Sequence, residues 1–194
     1  VDAGRYSDTL RLALEGKKVV VVLHKNHTLT CNFSCFLMMS LCIVCIIAKN
    51  ILALHNNVKH VINHFIKEKL GLNPDYYNIV DGSGVSLYNY ISPRLLLEYL
   101  KYAYYHAEIF QPFYEALPIA GVDGTLSSRM KKSKAYKNVH AKTGTVTGVS
   151  SLAGYAKAPN GHQLAFAIIN QNVMKSRQAR TFQDKVCDIL CTTK

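Results

Sequence analysis

The sequence predicts an α/β chain of the α+β kind, an antiparallel hairpin with helices before and after it. Three observations carry this expectation. Thr145 to Ala156 and Gln163 to Asn170 are strand-like runs joined by Pro159-Asn160-Gly161, a turn sequence suited to a hairpin. Upstream, Val58, Val61, Ile62, Phe65, Ile66 and Leu70 recur at helical spacing, and Gly71 closes that helix. Downstream, Phe182, Val186, Ile189 and Leu190 form the apolar stripe of a C-terminal helix.

The other elements follow in order. Tyr6 to Leu14 reads as a short helix and Lys18 to Leu23 as a valine-rich strand. The run from Phe33 to Ala48 is strongly apolar but shorter than the ~20 residues of a spanning helix, so it reads as a buried helix. A membrane-associated segment is the alternative there. Asn73 to Asn78 is a loop, and Ile79-Val80-Asp81-Gly82-Ser83-Gly84 passes from strand character into glycine-rich turns. Ser92-Pro93 is a helix start, a capping hydroxyl followed by a proline in the first turn, and it opens the helix RLLLEYLKYAYYH. A loop with Pro118, Gly121 and Gly124 then leads through a lysine cluster to Lys142-Thr143-Gly144. There is no internal repeat and no low-complexity segment.

Composition bounds the function. A chain of 194 residues, 49% hydrophobic and 18% charged, is globular rather than disordered. Its net charge of +11 suits an anionic partner: nucleic acid, phospholipid or an acidic cell-wall polymer. The basic residues are dispersed except for Lys131, Lys132, Lys134 and Lys137, which read as a solvated loop. With no recognition-helix or RNA-binding signature, no nucleic acid partner is expected. Cys31, Cys35, Cys42 and Cys45 lie in the apolar stretch, and free thiols there are unusual for an oxidising compartment. Cys42 and Cys45 have CxxC spacing, and His24 and His27 stand nearby, but the segment is too apolar to favour zinc. Cys187 and Cys191 share a helix face, where packing is the expected role. The N-terminus, VDAGRYSDTLRLALEGKK, carries charge throughout and does not read as a signal peptide.

Lys142-Thr143-Gly144 carries the chemistry. The triplet resembles the third motif of active-site-serine penicillin-recognising enzymes, in which a lysine ammonium supplies positive potential near a substrate carboxylate and the attacking serine. The threonine hydroxyl can donate to that carboxylate, and the glycine lets an extended peptide lie close without meeting a Cβ. Three stretches surround the triplet: "DGSGVSLYNYISP" at Asp81 to Pro93, "LPIAGVDGTLSSRM" at Leu117 to Met130, and "AKTGTVTGVSSLAGY" at Ala141 to Tyr155. By their order and spacing the chain resembles the D-alanyl-D-alanine carboxypeptidase/endopeptidase family, the class C low-molecular-mass penicillin-binding proteins. The likeness is closest from Ile79 to Asn170. As a domain assignment, 1–194 corresponds to the C-terminal part of a penicillin-binding DD-peptidase domain, with 57–194 well matched and 1–56 divergent.

The resemblance implies a β-lactamase/DD-peptidase-like antiparallel sheet flanked by helices on both sides, incomplete in this chain. It implies Lys142 as a catalytic residue, Thr143, Gly144 and Thr145 as substrate-binding residues, and no metal or organic cofactor. Partners would be a peptidoglycan peptide ending in D-Ala-D-Ala or a β-lactam, together with an upstream part of the same domain, and the location would be periplasmic. Asp81-Gly82-Ser83-Gly84 would be a structural signature. Two further motifs of such enzymes fit poorly. The nucleophile pair Ser-x-x-Lys needs its amine one helical turn past the hydroxyl. Its one match, Ser128-Arg129-Met130-Lys131, stands only fourteen residues before Lys142 and reads as a coincidence. Ser-x-Asn does not occur; Ile43-Val44-Cys45 aligns with its position, and the variant Tyr76-Tyr77-Asn78 falls after the Val58 helix.

Three readings follow: a serine-type DD-peptidase whose nucleophile lies outside this chain, a non-catalytic peptidoglycan- or β-lactam-binding remnant, and a membrane-associated basic protein. Half of a peptidase domain would leave sheet edges uncovered, so marginal stability is expected.

Overall fold

The computed structural model describes residues 31–32, 58–80, 86 and 88–192. The expected helix at Tyr6 to Leu14, the strand at Lys18 to Leu23, the apolar run Phe33 to Ala48 and the signature Asp81-Gly82-Ser83-Gly84 lie outside these residues. A short strand β1 (Cys31–Asn32) pairs antiparallel with β2 (Tyr90–Ile91). Helix α1 (Val58–Glu68) ends as its sequence predicts: Gly71 adopts φ 64, and the Leu72 N–H returns to Ile66 O at 3.0 Å. Helix α2 (Pro93–Tyr105) starts with the Leu95 N–H donating to Ser92 Oγ at 3.2 Å, with Pro93 in the first turn. A further helix, α3 (Ala107–Glu115), follows after the single residue His106. The sequence reading did not separate it, because tyrosines and the internal Pro112 blur its period.

Strands β3 (His140–Val146), β4 (Val149–Lys157) and β5 (Gln163–Gln171) form an antiparallel sheet in that order. This corrects one expectation: Thr145 to Ala156 is not one strand but two, split by the turn Thr147-Gly148. Gly148 has φ 76, and only two residues separate Val146 from its partner Val149, so the chain reverses there. The run is β-branched on both sides of the turn, which hides the break from a pattern reading. The expected hairpin at Pro159-Asn160-Gly161 does join β4 to β5.

Both faces of the sheet are covered, which explains why β4 and β5 are buried along nearly their whole length rather than alternating. On one face Ala153, Tyr155, Ala165, Ala167 and Ile169 pack with α1, α2 and α3. Tyr155 spans the layers there, its buried hydroxyl donating to Leu100 O at 2.7 Å. On the other face Leu152, Phe166 and Ile168 pack with Val186, Cys187 and Leu190 of α4 (Ser176–Leu190). Fully burying a side chain the size of Phe166 contributes about 1.5–3 kcal/mol. The buried stripe of α4 is Ala179, Gln183, Val186, Cys187 and Leu190, so the expected Ile189 is instead solvent-facing, at 45% exposure. Gln183 takes a core position because its amide is satisfied: Nε2 donates to Asn170 Oδ1 at 2.9 Å and to Ser150 Oγ at 3.2 Å.

Gly154 in β4 faces Ala141 in β3, and any Cβ there would run into His140 O and the Ala141 backbone. Backbone cannot yield as a flexible side chain can. Gly154→Ala is therefore expected to lower stability by about 1–3 kcal/mol, read as a drop in the urea midpoint at unchanged slope.

Candidate active-site strand

The triplet lies on β3, at an edge of the sheet among the described residues. The outer side of this strand is divided in two. Up to Ala141 it is closed by the loop from Pro118: the Ala120 N–H donates to Val139 O and the Ala141 N–H to Pro118 O, each at 2.9 Å. Since alternate residues of a strand point their backbone groups to opposite sides, Ala141 fixes the phase. Thr143 and Thr145 share it, so their N–H and C=O groups face away from β4. Gly144 is directed inward, and its carbonyl accepts from Ser151 Oγ at 3.1 Å.

Side chains alternate as well. His140 stacks on Tyr114 of α3, with ring centroids 4.1 Å apart, whereas Ala141 packs in the α4 layer. Lys142 has the phase of His140 and leaves from the α3 side; half-buried, it donates from Nζ to Thr143 O at 3.1 Å. Thr143 points to the other side, where its hydroxyl lies 2.9 Å from that of Thr125. Thr145 is exposed and Gly144 buried. The structure thus brings Lys142, Thr143, Gly144 and Thr145 together on one rim, and it adds Thr125, to which the sequence reading gave no role. The signal lay in Gly121-Val122-Asp123-Gly124-Thr125-Leu126, where a threonine follows directly on a glycine-bounded turn.

Thr125 belongs to a single 3₁₀ turn (Gly124–Leu126) that is held firmly. Leu126 is fully buried, the Gly121 N–H donates to Leu126 O at 2.9 Å, and Asp123 Oδ1 accepts the Ile119 N–H at 2.6 Å. Just beyond, the Arg129 guanidinium donates to Asp184 Oδ1 (2.6 Å from Nη2) and to Gln183 Oε1 (3.1 Å) on α4.

Other sequence candidates fall elsewhere. Ser128 and Lys131 are exposed on turns rather than on a helix, and Met130 between them has φ 60. The helical spacing that would set the amine over the hydroxyl is not formed. Asn78 bonds back to the chain, its Nδ2 donating to Tyr88 O at 2.8 Å. Lys131, Lys132, Lys134 and Lys137 are all exposed. Cys187 and Cys191 are buried free thiols; burial pushes Cys191 up to about 12 and Cys187 higher still, which makes both poor nucleophiles. Cys42, Cys45, His24 and His27 lie outside the described residues. Among the described residues no helix is long and apolar enough to cross a membrane.

Residues 44–193 match the model of the D-Ala-D-Ala carboxypeptidase 3 (S13) family. The chain belongs to that family. It is 38% identical over 115 residues to the penicillin-sensitive carboxypeptidase A of Dictyostelium discoideum, covering 56% of this chain and 22% of that protein. It is 41% identical over 107 residues to a D-alanyl-D-alanine carboxypeptidase of an Actinomadura species, covering 52% and 20%. The chain therefore spans about a fifth of the length of the curated relatives it matches. Among solved structures, it is similar to penicillin binding protein 4 of Haemophilus influenzae complexed with a β-lactam. There the TM-score is 0.52 at 34% identity, over 58% of this chain and 28% of that one. A predatory endopeptidase of Bdellovibrio bacteriovorus shares the fold at TM-score 0.54 and 19% identity, over 72% and 38%.

His140, next to the triplet, has its imidazole pKa lowered by burial, against weaker opposing effects of the Tyr114 backbone and the Asp123 charge. Its folded value therefore lies below the unfolded value of about 6.5, and the unfolded chain binds the proton first as pH falls. Stability should rise with pH from the depressed folded value up through about 6.5 and level off above it. Urea midpoints measured across this window should show less of that rise in His140→Gln than in the native chain.

Proposed function

We propose that residues 1–194 carry the substrate-binding strand of a serine-type D-Ala-D-Ala carboxypeptidase/endopeptidase acting on peptidoglycan stem peptides. The observation that carries the reading is the edge of β3, which is half open among the described residues. Beyond Ala141 the outward N–H groups of Thr143 and Thr145 and the Thr145 carbonyl offer a template on which an extended peptide can pair as an added strand, while the Thr143 carbonyl holds the Lys142 ammonium. The Lys142 ammonium supplies positive potential beside that peptide's terminal carboxylate, and the Thr143 hydroxyl donates to it. Gly144 lets the two backbones approach. A β-lactam presents a carboxylate on a similar frame and would occupy the same edge. The names of the relatives, a penicillin-sensitive carboxypeptidase and a penicillin binding protein, support the substrate class.

In this proposal the acylating serine and its base belong to an upstream part of the domain, and residues 1–194 by themselves bind without acylating. The non-helical Ser128–Lys131 stretch favours that reading over one in which Ser128 is the nucleophile. Peptidoglycan as substrate implies a location outside the cytoplasmic membrane, in the periplasm or at the cell wall. No metal or organic cofactor enters the scheme, because side chains supply the nucleophile, the base and the positive potential.

Incubation with a fluorescent penicillin, followed by intact-protein mass spectrometry, is expected to give no covalent adduct. An adduct that disappears in Ser128→Ala would make Ser128 the nucleophile and overturn the assignment. Non-covalent binding of a D-Ala-D-Ala peptide, followed by amide shifts at Thr143 to Thr145, should weaken about tenfold or more in Lys142→Ala.

A further inference from the structure

Thr125 is an exposed threonine on a clamped turn, and its hydroxyl is bonded to a side chain of another element, Thr143, eighteen residues away in the chain. Packing does not require it there. Each hydroxyl has one proton to give and two lone pairs to offer. A carboxylate can only accept. When a carboxylate binds Thr143, the single proton of that hydroxyl goes to the ligand. In the structure Thr143 Oγ1 donates to Thr125 Oγ1 at 2.9 Å; once that proton turns to the ligand, the bond persists only with Thr125 as donor. A donor fixed behind Thr143 also holds its stiff β-branched side chain in one rotamer and polarises its outward O–H.

We infer that Thr125 is a positioning residue of this site: it donates to Thr143 Oγ1 and so aims the Thr143 proton at the carboxylate of a ligand lying on β3. The inference rests on the reading of β3 as the substrate strand. Three restraints on the backbone give Thr125 the rigidity this role needs. Its neighbour Leu126 is buried, Asp123 caps Ile119, and Arg129 ties the following turn to Asp184 and Gln183. Gly124, at φ 49 and with a Cβ position only 3.1 Å from the Pro118 ring, lets the turn fold tightly onto the segment that pairs with β3.

The test compares binding of two peptides ending in D-Ala-D-Ala, one with a free carboxylate and one with a C-terminal amide. The ratio of their affinities reports the carboxylate contact alone, which a merely structural role would not move. Thr125→Val is expected to lower this ratio about threefold to tenfold, and Thr125→Ser to restore most of it. In a Thr143→Val background, Thr125→Val should change the ratio no further, because its effect passes through Thr143. If Thr143→Val leaves the native ratio unchanged, β3 is not the carboxylate site and both readings fall. If Thr143→Val collapses the ratio while Thr125→Val leaves it intact, the strand assignment stands and the role of Thr125 is overturned. An equal loss from Thr125→Val with and without Thr143 overturns it as well. Circular dichroism and the urea midpoint of each variant separate these outcomes from misfolding.

Discussion

The bond from the Ala141 N–H to Pro118 O is the contact on which the site depends. It is one of several that lay the Pro118–Ala120 segment along the outer side of β3, and it marks where that closure stops. An edge strand paired along its whole length could receive no peptide; one left wholly open would invite association with other chains. Among the described residues, the loop ends its pairing at Ala141 and leaves the stretch with Thr143 and Thr145 facing outward. The same loop turns back within a few residues and delivers Thr125 to Thr143. One segment therefore both closes part of the edge and furnishes the hydroxyl that meets Thr143.

What keeps this loop in place lies on the α4 face of the sheet. Arg129 pairs with Asp184, Gln183 accepts from the same guanidinium, and Gln183 in turn bonds Asn170 and Ser150. Such a partly buried ion pair contributes little net stability, since the loss of hydration offsets much of the attraction. Its geometry is directional, however. Leu, Val and Cys side chains on α4 would tolerate small slides against the sheet, whereas the Gln183 amide meets its partners in one register only. Breaking one member would leave charged or polar groups buried without partners, which costs more than the intact network contributes.

The likeness to solved structures is a likeness of layers: helices α1 to α3 on one side, the sheet in the middle, α4 on the other. It extends to a protein only 19% identical, as expected of an arrangement set by apolar faces rather than by particular side chains. The local words around β3 are more demanding. Gly154 is required by the approach of the β3 backbone at His140 and Ala141, and Gly124 is favoured by its positive φ beside the Pro118 ring, so these positions are specified by local geometry and not by composition.

Sequence by itself determined the helices α1, α2 and α4, the Ser92 cap, the Gly71 stop, the hairpin at Pro159-Asn160-Gly161 and the family to which the chain belongs. These depend on short-range periodicity, turn chemistry and a few contiguous words, all written along the chain. It misread the turn at Thr147-Gly148, missed α3 and turned Ile189 inward, because β-branched residues suit either side of a tight turn and a helical stripe is one residue wide in its ambiguity. Lys142, Thr143, Gly144 and Thr145 were legible as a group. Only the tertiary structure decided which of their backbone groups face outward, where the closed edge ends, and that Thr125 meets Thr143. Those facts depend on contacts between segments far apart in the chain, and no local pattern encodes the phase of one strand against a distant loop.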